Sequence, residues 1–410
     1  RAGGPPAILR EKGVPPPMSE ERNAAVERRV LERLRESGGR ITFAEYMELC
    51  LYEPGIGYYR QETVKVGKEG DFYTAAHVGG VMGSCVASAL AAAARRLAPE
   101  DGGEIALVEW GGGDGRLAAA VLDALRRDHP QLYARLRFVG AEASPAHRRA
   151  QRERLAPHAE RIEALCDPED AAVGRALAEK TCLVFANELL DAFPVHALVR
   201  RRGRWRELYV ENAGAGGADG AGRAPSPQAP PAGGLSLRWA EGPLSSARLA
   251  EWMRRHPVDA AEGQRIEVGL AALDWLTRLG GRMRRGFALF ADYGDGSAEL
   301  FSRHRMNGTL RAYRRHRMSD NVLDAPGAQD LTAHVNFDWC METAAEAGFR
   351  DVTLSEQKRF LVENGVFALL REHAGRDPFA PEARTNRAVR QLLLGDGMGD
   401  LFKVLTMYKL

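Results

Sequence analysis

At 410 residues, 45% apolar and 27% charged, the chain has the make-up of a globular protein that can bury a large core as two domains or one elaborated one. With 57 basic against 55 acidic residues its formal charge is +2, so nothing in the bulk charge argues for nucleic acid or an anionic membrane as partner. The five cysteines (Cys50, Cys85, Cys166, Cys182, Cys340) lack CxxC spacing and read as buried thiols of a reducing compartment, no metal is expected, and no apolar run reaches the roughly 18 residues of a membrane span.

Residues 1–20 are rich in proline and glycine and are expected to be a disordered terminus; they begin without methionine or a hydrophobic signal core, so no export signal is expected. Residues 21–100 read as a helical N-terminal region. Val26, Val30 and Leu34 recur at helical spacing from Asn23 to Ser37, and Gly38-Gly39 ends that helix. Thr42-x-x-Glu45 is a capping box that opens a second helix. A turn-rich aromatic segment, Leu51 to Tyr59, follows, and then Gly70-Asp71-Phe72-Tyr-Thr74 precedes an alanine-rich helix, Val78 to Leu97.

Residues 101–195 hold the most informative run, Ile105-Ala-Leu-Val-Glu109-Trp110-Gly111-Gly-Gly113-Asp-Gly115-Arg-Leu117. Four apolar residues reach a carboxylate, and alternating glycines (Gly111, Gly113, Gly115) then lead into a helix. That is a buried parallel strand, a tight turn and a helix start, where a ligand can lie against backbone. The spacing matches neither a dinucleotide loop nor a P-loop. A second strand, Arg137 to Ala141, ends in Glu142, the position from which one carboxylate can hold both hydroxyls of a ribose. A third, Arg161 to Cys166, ends at Asp167, a candidate neighbour of an adenine amino group. The fourth, Thr181 to Ala186, delivers Asn187, Glu188 and Asp191 to the same crevice, because ligands of open α/β sheets bind at the carboxyl ends of the strands.

Residues 196–285 read as an insertion over that crevice, suited to substrate recognition, with 211–234 a disordered loop between paired strands. Leu244 to Met283 is helical by pattern. Residues 286–410 resume the sheet with a strand, Gly286 to Ala291, ending at Asp292, and close it with Leu401 to Tyr408.

From Ile41 onward the chain resembles the MidA-like class I S-adenosylmethionine-dependent methyltransferases. The resemblance rests on ordered motifs: Tyr52-Glu-Pro-Gly-Ile-Gly-Tyr-Tyr59, Gly70-Asp71-Phe72-x-Thr74, Glu109-x-Gly-x-Gly-x-Gly115, Asn187-Glu188-x-x-Asp191-Ala-x-Pro194-Val195, Asp292-Tyr-Gly294, Thr309-Leu-Arg311-x-Tyr313 and Asp330-Leu-Thr332-x-His334-Val335-x-Phe337. It implies an α/β fold with a Rossmann-like methyltransferase sheet, S-adenosylmethionine as cofactor, and a protein arginine as methyl acceptor. Mitochondrial members of the family methylate an arginine of a core subunit of respiratory complex I, so the expected location is the cytoplasm of a bacterium or the matrix of a mitochondrion. A homodimer is one use for the inserted surface.

The resemblance adds Asp71 and Thr74 to Glu109, Gly111, Gly113, Gly115, Glu142 and Asp167 as cofactor-binding candidates. Two departures stand out: Ala75-Ala76-His77 where relatives carry Ser-Pro-Glu, and Asp114 where they carry arginine. An extra acid near a sulfonium is electrostatically acceptable.

A guanidinium with a pKa above about 12 needs carboxylates that hold its N–H groups and take its proton as charge leaves. Glu188 is the expected proton acceptor, with Asp191 or Asp292 in support and Asn187 orienting the substrate; the bland alternative for Glu188 is a carboxylate that caps backbone amides. Arg311 to Arg317 is either an anchor for a carboxylate or a solvated basic loop, and His334 either touches the acceptor or is structural. Tyr58 and Tyr59 either close over the site or, as the favoured reading, pack as aromatics. A non-catalytic assembly factor that binds the cofactor, and a methyltransferase acting on nucleic acid or a small molecule, are the competing functions. No Asn/Asp-Pro-Pro-Tyr segment or basic face favours nucleic acid.

Overall fold

The apolar runs through the middle of the chain assemble into one sheet. Its strands are β1 (Ile105–Trp110), β2 (Leu136–Ala141), β3 (Ile162–Cys166), β4 (Thr181–Asn187), β5 (Arg285–Asp295), β6 (Arg350–Glu356) and β7 (Phe402–Lys409). These come from a computed structural model that describes residues 20–61, 80–97, 102–215, 235–314, 317–372, 377, 380–394 and 401–410. The order is β6-β7-β5-β4-β1-β2-β3, with β1 to β5 parallel and β7 antiparallel to both neighbours. The pair Val335–Asn336 adds an eighth, very short strand beside the end of β5.

Both faces of this sheet are covered, so its central strands are continuous apolar runs. Leu107, Phe185 and Leu289 face the helices Gly80–Leu97 and Arg116–Asp128. Their sequence neighbours Val108, Val184 and Phe290 point the other way, toward the helices Ala171–Glu179, Leu270–Arg282 and Phe337–Glu346. Strand order reverses between β1 and β4, and that switch point opens a crevice at the carboxyl ends of both.

A second, antiparallel sheet joins His196–Arg201, Arg204–Asn212, Leu237–Gly242 and Arg265–Val268 to the N-terminal strand Arg40–Thr42. Its apolar face (Val199, Leu208, Val210) packs on the helices Glu20–Glu36 and Phe43–Tyr52 through Val26, Val30, Tyr46 and Met47. The N-terminal region and the segment between β4 and β5 therefore share one core. The capping box forms in full: Glu45 N–H donates to the Thr42 hydroxyl oxygen at 3.1 Å, and Thr42 N–H to the Glu45 carboxylate at 3.0 Å.

Three local expectations change. Leu244 to Met283 is two helices, Ala247–Arg255 and Leu270–Arg282, separated by the strand Arg265–Val268. Pro257 and Gly263 break the helical run, and Ile266 and Val268 alternate with charged residues at strand period. The loop expected from 211 begins later, because Glu211 and Asn212 complete a strand; 216–234 and the terminus up to residue 19 lie outside the described residues. The mostly exposed edge strand β6 leaves too little apolar periodicity to be read.

Gly286 in β5 passes so close to β4 that an added Cβ would overlap the Cys182 carbonyl and the Met283 methyl. Gly286→Ala is expected to destabilise the fold by about 1–3 kcal/mol, as overpacking of a close-packed core does. Thermal unfolding should show a Tm lowered by several degrees; an unchanged Tm would mean that the two strands can separate without cost.

Candidate active site

The glycine loop takes the conformation its composition demands. Gly111, Gly113 and Gly115 have φ of 67°, 53° and 81°, in the left-handed region where an L side chain is strained. Gly111 N–H donates to the Ala141 carbonyl of β2 at 2.8 Å, and Gly115 N–H closes the turn onto Gly112 at 3.0 Å. Gly112 matters for a different reason: a Cβ there would overlap the carboxylate of Glu109, which is folded beneath the loop.

Glu109 is buried, with Oε2 left without a partner. Burial, then the nearby Glu142 and Asp114, push its carboxyl up to about 8, against the pull of the Ala118 N–H. Glu142 accepts N–H bonds from Gly113 at 2.9 Å and Ser144 at 2.7 Å, so it both braces the loop and lines the crevice. Asp114 is also buried, but Arg116 and Arg154 reach its Oδ2 at 2.9 and 3.0 Å. The charge introduced at that position is neutralised within the loop. Asp167 is paired through Oδ2 with Arg60 at 2.6 Å, and the residues that follow it, Pro168 and Glu169, line the crevice wall. Asp71 and Thr74 lie outside the described residues.

On the other side of the switch point, Asn187 ends β4 and Glu188 follows with φ of 54°, a left-handed conformation that costs a non-glycine residue about 1–3 kcal/mol. Its N–H extends the ladder to Ala291 of β5 at 2.9 Å. Asn187 Nδ2 donates to Glu188 Oε1 at 2.8 Å. A carboxylate only accepts, so this bond fixes the amide's orientation and leaves Oδ1 buried and unpartnered.

Asp292 does not reach the crevice. Its Oδ2 accepts the N–H groups of Leu189 (2.9 Å), Leu190 (2.6 Å) and Asp191 (3.4 Å), and its Oδ1 that of Tyr293 (2.8 Å). The capping role that was the bland alternative for Glu188 belongs to Asp292, and Asp292 supports the acceptor side only by holding this turn. Burial pushes its carboxyl up to about 7 against those donors. Asp191 is buried and lines the crevice; burial first, then Asp292, Glu188 and Asp330, push its carboxyl well above the usual range.

The crevice is a single cavity of about 1200 Å³ running from the glycine loop past Asn187, Glu188 and Asp191. Four residues of its wall, Tyr52, Tyr293, Tyr313 and Asp330, have no role legible in the sequence. Each lies in a motif quoted for the family resemblance, but a tyrosine in a turn or a lone acid on a short strand carries no periodic signal of its own. Tyr59 also lines the cavity, whereas Tyr58 is wholly buried against it, edge-on at 5.2 Å. His334 lines the wall; its backbone N–H donates to Thr309 Oγ1, and burial beside Arg305 and Arg311 lowers its ring to about 4, so it is neutral. Arg311 also lines it, whereas Arg314 and Arg317 are exposed.

The fold and this crevice define a class I methyltransferase. The family described as "Putative S-adenosyl-L-methionine-dependent methyltransferase" matches residues 85–353, and the chain belongs to that family. It is 30% identical to a Burkholderia thailandensis protein whose crystal structure is bound to S-adenosyl-homocysteine, over 97% of this chain and 95% of that one, with a TM-score of 0.80. The mitochondrial protein arginine methyltransferase NDUFAF7 homolog of Drosophila melanogaster is 29% identical over 73% of this chain. The chain covers 66% of the fly protein's length, just under two thirds. The Rattus norvegicus protein of that name is 26% identical over 90% of this chain and 80% of its own. The chain is an S-adenosylmethionine-dependent methyltransferase, and S-adenosylmethionine is its cofactor. Among the described residues no helix is long and apolar enough to cross a membrane.

Glu109 makes stability depend on pH in a direction that can be checked. Its folded pKa, about 8, lies above the ordinary 4.5, so its contribution is present in full below pH 4.5 and is lost as pH rises toward 8. Glu109→Gln removes that loss and keeps an acceptor for the Ala118 N–H. The variant should gain in Tm relative to the parent between pH 6 and 9; parallel melting curves across that range would show that Glu109 is ionised in the fold.

Proposed function

We propose that this methyltransferase transfers the methyl group to a guanidinium nitrogen of an arginine in a protein. The observation that carries the reading is the acidic chamber at the end of β4, lined by Asn187, Glu188 and Asp191, with Asn187 Oδ1 left without a partner. An arginine brings positive charge and several N–H donors to such a place. The names of the fly and rat relatives support the same acceptor.

When bound, S-adenosylmethionine supplies a methyl group activated by a sulfonium centre. The residues present suit it: left-handed glycines expose backbone, and Glu109 Oε2 and Glu142 offer acceptors along one wall. Glu142 would hold the ribose hydroxyls, Gly111 and Gly113 would let the cofactor approach the loop backbone, and Glu109 would form the floor beneath it. Across the cavity, Asn187 Oδ1 accepts an N–H of the guanidinium and orients its attacking nitrogen. Glu188, fixed by Asn187 and by its own backbone bond to β5, takes the proton that this nitrogen loses. Asp191 balances the acceptor's charge until transfer, and Asp292 positions all three through the turn. The five free thiols suit a reducing interior, the bacterial cytoplasm or the mitochondrial matrix.

Glu188→Gln keeps the shape and the bond from Asn187 only if the new amide offers its oxygen, and it removes the proton acceptor. Methyl transfer should fall by about 10²- to 10⁴-fold, the usual contribution of a general base, with cofactor affinity by calorimetry nearly unchanged. A labelled-methyl assay on cell extract, followed by mass spectrometry of the product, names the acceptor. Label on a residue other than arginine would overturn the reading, and full activity in the variant would remove Glu188 from the chemistry.

A further inference from the structure

The helix Pro145–Arg154, whose N-cap Ser144 donates its N–H to Glu142, also reaches back to the glycine loop. Gln151 Nε2 donates to the Gly113 carbonyl at 2.9 Å, and Gly113 N–H donates to Glu142 at 2.9 Å, so the peptide groups on both sides of one glycine are fixed. One turn further along the helix, Arg154 Nε donates to the Asp114 carbonyl at 2.9 Å and its Nη2 to Asp114 Oδ2 at 3.0 Å. A single guanidinium thus holds one residue by backbone and side chain together. Asp114 in turn accepts the N–H of Arg116, the first residue of the next helix, at 3.3 Å and pairs with its guanidinium at 2.9 Å. Loop and helix are also closely fitted: Gln151 is wholly buried, and a Cβ at Gly115 would come within 3.0 Å of its Cγ. Asp114 lines the cavity, whereas Gln151 and Arg154 stand behind the loop and do not.

We infer that Gln151 and Arg154 are positioning residues for S-adenosylmethionine, acting through the loop that the cofactor would meet. The inference concerns the cofactor alone and does not depend on which group accepts the methyl. Glycine loses more conformational freedom on ordering than any other residue, and this loop holds three glycines in the left-handed region. In a free loop the binding conformation would be one of many, and the apparent affinity would be reduced by the fraction of time spent in it. The bonds from Gln151, Arg154 and Glu142 hold that conformation before the cofactor arrives, so binding does not have to order it. The same contacts account for the departure at Asp114. An arginine there, as relatives carry, would add a third guanidinium beside Arg116 and Arg154, whereas an aspartate gives Arg154 a second oxygen to grip. The acid that departs from the family pattern is the handle by which the helix holds the loop.

The test is calorimetric titration of the full chain with S-adenosyl-homocysteine, with a melting curve for each variant. Arg154→Met keeps an aliphatic stem and removes the donors. Its affinity should fall about 10- to 100-fold, the range for hydrogen bonds to a charged group, while every chain still binds and the Tm stays near the parent's. Arg154→Lys, which restores the charge and donors, should recover part of the loss. Gln151→Met removes one neutral bond and should cost about 2- to 10-fold; if that buried substitution does not fold, the Arg154 variants decide alone. Asp114→Asn should cost less affinity in the Arg154→Met background than in the parent, because the two residues act as one unit. Parent-like affinity in Arg154→Met overturns the inference. A loss that appears only as fewer binding-competent chains and a lowered Tm makes Arg154 a residue of the fold and overturns it too. Losses from Asp114→Asn and Arg154→Met that simply add would show that Arg154 does not act through the loop.

Discussion

One buried carboxylate holds the acceptor side together. Asp292, in the last part of β5, gathers the N–H groups of Leu189, Leu190 and Asp191 on a single oxygen. Without that acceptor, three backbone donors at the end of β4 would be buried unpaired, at about 1–3 kcal/mol each. With it, the chain can leave β4 through a left-handed residue and turn at once, so that Asn187, Glu188 and Asp191 are displayed on one short, stiff stretch. The strained φ at Glu188 persists because its neighbours over-determine it: a ladder bond to Ala291 on one side and the Asp292 cluster on the other.

The cofactor side repeats the device. Glu142 at the end of β2 binds Gly113 and Ser144 through backbone N–H groups, and Glu109 sits under Gly112 where no other residue would fit. The crevice thus contains two kinds of acid. Asp292, Asp114 and Asp167 are consumed in holding the protein, by amides or by arginines, whereas Glu188 and Asp191 face the cavity from a position where no ion pair of the described residues reaches Asp191.

Periodicity made most of the sheet legible. Runs such as Ile105 to Val108 and Thr181 to Ala186 are apolar because both sheet faces are covered, and the acids and glycines that follow them mark the crevice edge. Legibility stopped where tertiary pairing decides the outcome. Nothing in the order of residues distinguishes Glu188, which faces the cavity, from Asp292, which caps the turn. Both are acids at strand ends, and only the offset between β4 and β5 separates them. The pairing of Asp167 with Arg60, 107 positions earlier, has no local signal in the sequence. The strand Arg265–Val268 is hidden between two amphipathic helices because its four residues find their period only when paired with His196–Arg201.

The same reasoning explains why the N-terminal region belongs to the site. The strand Arg40–Thr42 completes the second sheet, and the helix it leads into ends at Tyr52, which bonds the turn carrying Asp191. The segment that follows packs Tyr59 onto Asp330 and Arg60 onto Asp167, one contact on each side of the cavity. Residues 52–60 therefore bridge the two sides of the cavity through a short segment that carries Tyr52, Tyr58 and Tyr59.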